Sequence, residues 1–359
     1  MTSSSAYTLL PFDTATASAH ELEESGRFQQ ILAVERVPDD PPMAVEALIS
    51  RMVTTTPSDW RAMRSARDAA GALVGQGFVG HNRNEPENAH VRWCEIGVHP
   101  EHRRRGIGRA LFAAIVAACD GQGEDLVFMG QTSDRVPSGG SFCGALGAEA
   151  GLEMKTNELD LRRLDRQGAR DWAARAAPGY RLEMLGNATP DALLPAYLQA
   201  VNGMNDAPKG TMRFADERVT AEQVREREDW RRTAGIERRA IVAVHEATGA
   251  GAGFTALNYD PRVPHVVQQA GTAVIAGHRG NGLGRWMKAT MLERVLSEWP
   301  AARYIRTGNA NTNAQMLAIN TELGFRHAWS TVLWQLPLET ARTVVGPASG
   351  RAVAAPGRP

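Results

Sequence analysis

Cysteine is scarce in this chain: Cys94, Cys119 and Cys143 are the only three among 359 residues. An odd number without a Cys-x-x-Cys pair argues against a disulfide framework and for reduced thiols in a cytoplasm. Histidine and cysteine nowhere cluster at ligand spacing, so no metal is expected. Neither sign of charge is in excess, with 40 Lys and Arg against 40 Asp and Glu. No global field therefore draws the protein to nucleic acid or to an anionic membrane. Aromatic residues make up 6% and do not alternate with basic ones, as a single-stranded nucleic-acid surface requires. No apolar run approaches the ~20 residues that span a bilayer. The first residues lack the basic and then apolar pattern of a secretion signal, so a cytoplasmic location is expected.

What the chain does have is one loop written twice. Val98-His99-Pro100-Glu101-His102-Arg103-Arg104-Arg105-Gly106-Ile107-Gly108-Arg109 contains Arg-x-x-Gly-x-Gly, and so does Val274-Ile275-Ala276-Gly277-His278-Arg279-Gly280-Asn281-Gly282-Leu283-Gly284-Arg285. The copies lie 176 residues apart (103 to 279). Each follows a β-branched apolar run and precedes residues with helical apolar spacing. A strand that passes through glycines into a helix start is a phosphate cradle, because backbone N–H groups converge there and the helix dipole favours an anion. The spacing is not Gly-x-Gly-x-x-Gly, so a dinucleotide fold is not expected.

The order of elements also repeats. Strands are predicted near 61–67, 72–80 and 91–98, a helix over 107–119, and a short strand near 126–129. In the second half, helices are predicted at 191–202 and 221–234 and strands near 239–245, 253–258 and 266–275. A helix at 283–299, a strand at 304–307, a helix at 313–323 and a last strand at 325–336 follow. The expected division is a first domain at 1–165, a linker at 166–178, a second domain at 179–336, and a mobile tail at 337–359 rich in Ala, Gly, Pro and Arg. The fold class is α/β, with mixed α and β layers.

This order, with Arg-x-x-Gly-x-Gly at the strand-to-helix turn, resembles the GNAT superfamily of acyl-CoA-dependent acyltransferases. Asn309-Ala310-Asn311-Thr312-Asn313 followed by Leu323-Gly324-Phe325 is similar to the family's last strand–helix–strand unit, and Leu146-Gly147-Ala148 is a weaker version. The whole resembles tandem GNAT proteins, a two-domain arrangement like that of mycothiol synthase. The resemblance implies two domains, each a mixed, mostly antiparallel sheet flanked by helices. It implies acetyl-CoA or another acyl-CoA as co-substrate, no metal, and a small-molecule amine as acceptor. The activity implied is N-acyl transfer, most simply N-acetylation, by direct attack in a ternary complex. A different class of function, an acyl-CoA-binding structural or sensing module, remains open.

By the same resemblance, the cofactor is expected at Val98, Arg103, Arg104, Arg105, Gly106, Gly108 and Arg109 in the first loop. The matching set in the second is Val274, Arg279, Gly280, Gly282, Gly284 and Arg285, with Asn309 and Asn313 downstream. Glu95, on the strand feeding the first loop, suits a general base that frees an amine of its proton. Its counterpart in the second half is Gly271, and Asp206 is a candidate base there. The position where many members carry an acidic tyrosine holds Asn320, and Cys143 in the first half. Cys143 is more simply a small buried hydrophobe than a nucleophile. The fuller cofactor signature favours the second half as the catalytic one, and Glu95 favours the first. The expectation leans to the second.

Overall fold

The computed structural model describes residues 7–346. The first half runs β1 (Tyr7–Phe12), α1 (Ala19–Arg36), α2 (Val45–Val53), β2 (Asp59–Asp68), β3 (Leu73–Asn82), β4 (Val91–Val98), α3 (Ile107–Ala118), β5 (Val127–Ser133), α4 (Pro137–Ala145) and β6 (Glu149–Asp160). A connecting helix, α5 (Arg166–Ala173), follows. The second half repeats the series as β7 (Tyr180–Leu185), α6 (Leu194–Asn202), α7 (Ala221–Ala234), β8 (Glu237–His245), β9 (Gly251–Tyr259), β10 (Val266–Val274), α8 (Leu283–Glu298), β11 (Tyr304–Ala310), α9 (Ala314–Glu322) and β12 (Arg326–Pro337). The described chain closes with α10 (Leu338–Val345).

All twelve strands join in one sheet, ordered β1-β2-β3-β4-β5-β12-β6-β11-β10-β9-β8-β7. Exchanging the halves turns this order into its own reverse, so the sheet has a pseudo-twofold axis between β12 and β6. The last strands have changed places. β12, from the second half, pairs with β5 of the first. β6, from the first half, pairs with β11 of the second. The boundaries expected at 165 and 179 divide the sequence, but they do not divide the sheet.

The helices after the exchanged strands cross as well. α5 packs on α8, where Trp286 Nε1 donates to the carbonyl of Ala173 at 3.0 Å. α10 packs on α3, where Arg109 donates to the carbonyl of Val344 at 2.9 Å. Leu159 and Leu161 from the first half are buried in the second core, beside Leu283, Met287 and Phe325. Leu336, Leu338 and Ala341 complete the first core, beside Phe112, Ile115 and Phe128. The expected tail from 337 is therefore corrected over 338–345: the stretch is a helix, because Leu338 and Ala341 meet apolar surface left open by α3. The rest of that segment, 347–359, lies outside the described residues. The stretch 166–178 is also packed, with Ala169 and Ala177 buried.

Two elements had no clear signal in the sequence. α1 is polar along most of its length and carries Ser25 and Gly26 in mid-helix, against propensity. Both are buried because α2 lies close against them. A Cβ on Gly26 would come within 2.8 Å of Val45 Cγ1. The helix is secured at its start by a capping box, in which Ser18 and Glu21 satisfy each other's backbone donors. β6 is a charged strand whose burial alternates only in part, since both of its edges pair with strands of the other half.

The exchange makes Leu338 a core residue of a half it does not belong to in sequence. Leu338→Ala is expected to cost ~2–5 kcal/mol, as for other fully buried leucines, read as a lower urea midpoint with an unchanged slope. A change within 0.5 kcal/mol, the ~range of surface substitutions, would mean that α10 does not hold the first core.

Candidate active site

In each half the strand before the glycine loop is parallel to its neighbour for only a few residues. β4 pairs with β5 at Val91–Trp93, and β10 pairs with β11 at Val266–Gln268. Beyond those positions the strands diverge and leave a wedge open beside the loop.

The loops share a backbone. Gly106 and Gly282 precede α3 and α8 with φ of 84° and 76°. Two residues earlier, the loop again turns left-handed, at Arg104 with φ 63° and at Gly280 with φ 81°. Glycine adopts this conformation freely, whereas an arginine is strained in it by roughly 1 kcal/mol. The first loop thus carries a side chain where the backbone favours none.

The leading arginines of both loops are held in ion pairs with carboxylates of the helical layer. Arg103 Nε donates to the carbonyl of Val98 at 3.1 Å, and its Nη1 to Glu35 at 2.6 Å. Arg279 does the same with Val274 at 3.0 Å and Asp206 at 2.6 Å. Each ties the end of its strand to the helical layer, and a carboxylate already neutralises its charge. Asp206 is held in that pair and is not a free base. The remaining cations separate the loops. Among the described residues, Arg104, Arg105 and Arg109 have no carboxylate within 4.0 Å. In the second loop, Gly280 and Asn281 replace two of them, and Arg285 pairs with Glu322 at 2.8 Å. Asn281 turns back to donate to the carbonyl of His278 at 3.1 Å.

The first wedge opens into a cavity of about 1050 Å³. Glu95, Val98, Arg103, Arg104, Gly106, Gly108 and Arg109 all line it, and it reaches Arg306 and Trp329 at the sheet centre. All of the expected first-loop set except Arg105 are thereby brought together with the expected base. Glu95 is exposed, 3.5 Å from Arg36. Arg279, Gly280, Gly282, Gly284, Arg285, Asn309 and Asn313 do not line this cavity.

The second wedge is filled with polar groups. Lys288 donates to Gln269 Oε1 at 3.1 Å, and Gln269 donates to the carbonyl of Ala256 at 2.7 Å. Thr255 and Thr272 share a hydrogen bond of 2.8 Å. At the positions paired in the same way in the first half stand Phe112, Cys94, Gly77 and Ile96. The asparagines expected to contact the cofactor serve their own unit. Asn313 caps α9 by accepting from Met316 N at 3.2 Å. Asn309 accepts from Asn320 at 2.8 Å, and Asn320 is 1% exposed. An amide so buried cannot deliver a proton to a departing group. Cys143 is no better placed as a nucleophile, since burial pushes its thiol up to about 11. Sequence reasoning passed over Trp93 as a default core residue. It is 41% exposed and lies two residues before Glu95 on the same strand face.

Residues 65–136, which span the first loop and its wedge, match a family model described as an acetyltransferase (GNAT) domain. A tandem GNAT protein from the clavulanic acid biosynthesis pathway superposes with a TM-score of 0.76 at 25% identity, covering 96% of this chain and 100% of that one. Residues 65–136 thus carry a GNAT domain, and the chain has the tandem GNAT fold. A GCN5-related N-acetyltransferase from Sphaerobacter thermophilus shares the fold, with a TM-score of 0.65 at 13% identity over 92% of this chain and 96% of its own. So does a GCN5-related glucosamine N-acetyltransferase region of a fungal β-N-acetylglucosaminidase, at 0.63 and 12%, over 92% of this chain and 38% of that one. No protein of curated function matches the sequence. The family match falls on the half that keeps its free cations, and the fold implies acyl transfer from acyl-CoA.

Lys288 gives the second wedge a measurable signature. Burial holds its ammonium down at about 8, against an ordinary 10.5. Between those values the unfolded chain is protonated at this site and the folded chain is not, so stability rises with pH there. Below about 8 the folding penalty is constant, on the order of 3 kcal/mol at most. Lys288→Met is therefore expected to stabilise the protein at pH 7 and to lose most of that gain by pH 10, read from urea midpoints. An equal gain at both pH values would mean that the lysine is not buried charged.

Proposed function

We propose that the protein is an acyl-CoA-dependent N-acyltransferase that works at the first loop, with a small-molecule amine as acceptor. One observation carries this reading: a single cavity joins a glycine cradle with two unneutralised arginines, Arg104 and Arg109, to a strand glutamate. This reverses the sequence expectation that favoured the second half. The halves at 1–165 and 179–336 then have unequal tasks, the first catalytic and the second architectural.

The cradle fits a phosphorylated ligand. At Gly106 the nearest atom to an added Cβ is the Tyr7 hydroxyl at 3.7 Å, so the backbone there is open to close approach. Arg104, Arg105 and Arg109 supply charge for a pyrophosphate and a ribose phosphate. A bound acyl-CoA supplies the thioester. Glu95 accepts the proton of the incoming ammonium, and only the neutral amine has a lone pair to attack. The N–C bond forms as the C–S bond breaks, and the second proton of the nitrogen passes through water to the departing thiolate. A backbone N–H near Val98, at the end of β4, is suited to meet the developing oxyanion. Reduced thiols and the lack of a bilayer-length apolar segment in any described helix support a cytoplasmic setting.

A non-catalytic reading fits the second half better than the first. Its loop cations are neutralised, its base position is Gly271, and Lys288 and Gln269 occupy its wedge.

Two variants test the assignment. Arg104→Gly with Arg105→Asn gives the first loop the residues of the second and relieves the strain at 104, so folding is retained. Coenzyme A binding, measured by calorimetry, is expected to fall at least tenfold from a stoichiometry of one. Glu95→Gln should lower amine-dependent thiol release by roughly 10²–10⁴-fold while coenzyme A affinity stays constant. If the loop variant binds coenzyme A at full strength while Arg285→Ala abolishes binding, the chemistry belongs to the second half.

A further inference from the structure

A second cavity, of about 600 Å³, lies on the face of β2–β4 opposite α3. Its floor is set by strand alternation. Asp59, Arg61 and Met63 pair with Asn82, Gly80 and Phe78. Gly80 and Phe78 pair in turn with Trp93 and Glu95. α1 and α2 form two walls, and the third comes from the other half of the chain. Trp230, on α7, lines the cavity, and its Nε1 donates to the carbonyl of Thr54 at 3.2 Å. α7 is fixed against the first half by Glu226, which accepts from Ser58 N and from Asn84, each at 3.1 Å. Glu95, Trp93 and Phe78 line both cavities, so the two meet at the candidate base.

Three carboxylates, Asp59, Glu85 and Glu95, line it against two guanidinium groups, Arg51 and Arg61, whose donors are already engaged. Asp59 accepts from Thr56 N at 2.8 Å and, among the described residues, has no cation within 4.0 Å. Glu85 is 3.5 Å from Arg227, which pairs more closely with Glu217. Of the two guanidinium groups, Arg51 is bound to Asp260 at 3.1 Å. Arg61 donates to the carbonyl of Met52 at 2.6 Å and to the Thr14 hydroxyl. His81 is held below its ordinary range by burial and by Arg92 and Arg83, which leaves it neutral near pH 7. Four aromatic residues, Trp60, Trp93, Trp230 and Phe78, line it beside the apolar Leu32, Leu48, Met52 and Met63. A negative, indole-lined pocket attracts a cation on a flat apolar body. A ligand carboxylate would be repelled by the acids and would find both guanidinium groups already engaged.

We propose that this cavity holds the acceptor, and that the acceptor is a primary amine on a flat apolar body that bears no carboxylate. The proposal rests on the reading of Glu95 as the base of acyl transfer. The amine sits at Glu95, where the cavities meet, and the body lies between Trp93, Phe78 and the Trp230 indole. Asp59 lies about 13 Å further along the sheet, four residues at ~3.3 Å each, so the pocket extends well beyond one ring. Trp230 makes the second half part of the specificity of the first.

The probes are tryptamine and tryptophan, which differ only in the carboxylate. Each is titrated calorimetrically into the full chain, with coenzyme A titrated separately. Tryptamine is expected to bind at least tenfold more tightly than tryptophan. Trp230→Ala should weaken tryptamine at least tenfold and leave coenzyme A unchanged, and Trp230→Phe should restore most of the loss. Unchanged coenzyme A binding also shows that the alanine variant is folded. Equal or tighter binding of tryptophan overturns the proposal. Coenzyme A binding without tryptamine binding also overturns it, and leaves the acyltransferase reading standing. Tryptamine binding without coenzyme A binding supports the pocket and removes the acyltransferase reading instead.

Discussion

The antiparallel pairing of β12 with β6 is the contact on which the rest of the molecule depends. Each is the last strand of its half and each is seated in the other's sheet. A register running from Arg326↔Glu158 to Gln335↔Glu149 joins them. Neither half has a complete sheet or a complete core alone. The first lacks Leu336 and Leu338 without the end of the chain, and the second lacks Leu159 and Leu161 without the middle. An ion cluster at the same seam adds orientation. Arg306 on β11 binds Asp40 at 2.7 Å and Glu158 at 2.7 Å, and is 7% exposed. A buried guanidinium satisfied by two carboxylates is weak evidence for stability, but removing either partner would leave a buried charge. The cluster holds the loop after α1, a second-half strand and an exchanged strand in one relation.

That seam has a functional consequence. The cavity at the first loop runs from the glycine cradle to Arg306, Trp329 and Trp334, residues that the second half contributes. The cavity behind β4 is closed by Trp230, again from the second half. The exchange of last strands gives the first half walls it does not encode. The wedge of the second half is occupied by its own side chains. Lys288, Gln269, Thr255 and Thr272 make a satisfied polar network where the first half has an open apolar crevice beside Ile96 and Phe112. In both halves the leading loop arginine has the same structural task, bracing a strand end against a carboxylate on the helical layer.

The wedge, the left-handed loop and the helix start were legible in the residues. Glycine at positions 106, 108, 282 and 284, after a β-branched run, leaves few alternatives for the backbone. Most strands and helices could be placed because their periodicity is local. The exchange could not. A strand's partners depend on which edge lies within reach, and β6 and β12 carry no local mark of whose edge they will meet. α1 was hidden for a related reason, since its Ser25 and Gly26 make sense only under the close approach of α2.

The chemistry divides along the same line. Residue type and spacing marked the cradle glycines, the arginine run and Glu95, because a glycine loop before a helix has the same meaning in any sheet of this kind. Charge state was another matter. Arg103 and Arg279 read as free cations until Glu35 and Asp206, 68 and 73 residues away, fold against them, while Arg104 and Arg105 look no different in sequence and keep their charge open. Asn320 read as a site residue until burial and Asn309 took up its amide. The cavity behind β4 has no linear signature at all, since its aromatic walls come from positions 60, 78, 93 and 230. Local order follows from neighbours in the chain, but the net charge and shape of a cavity are sums over distant residues, and only the folded molecule performs that sum.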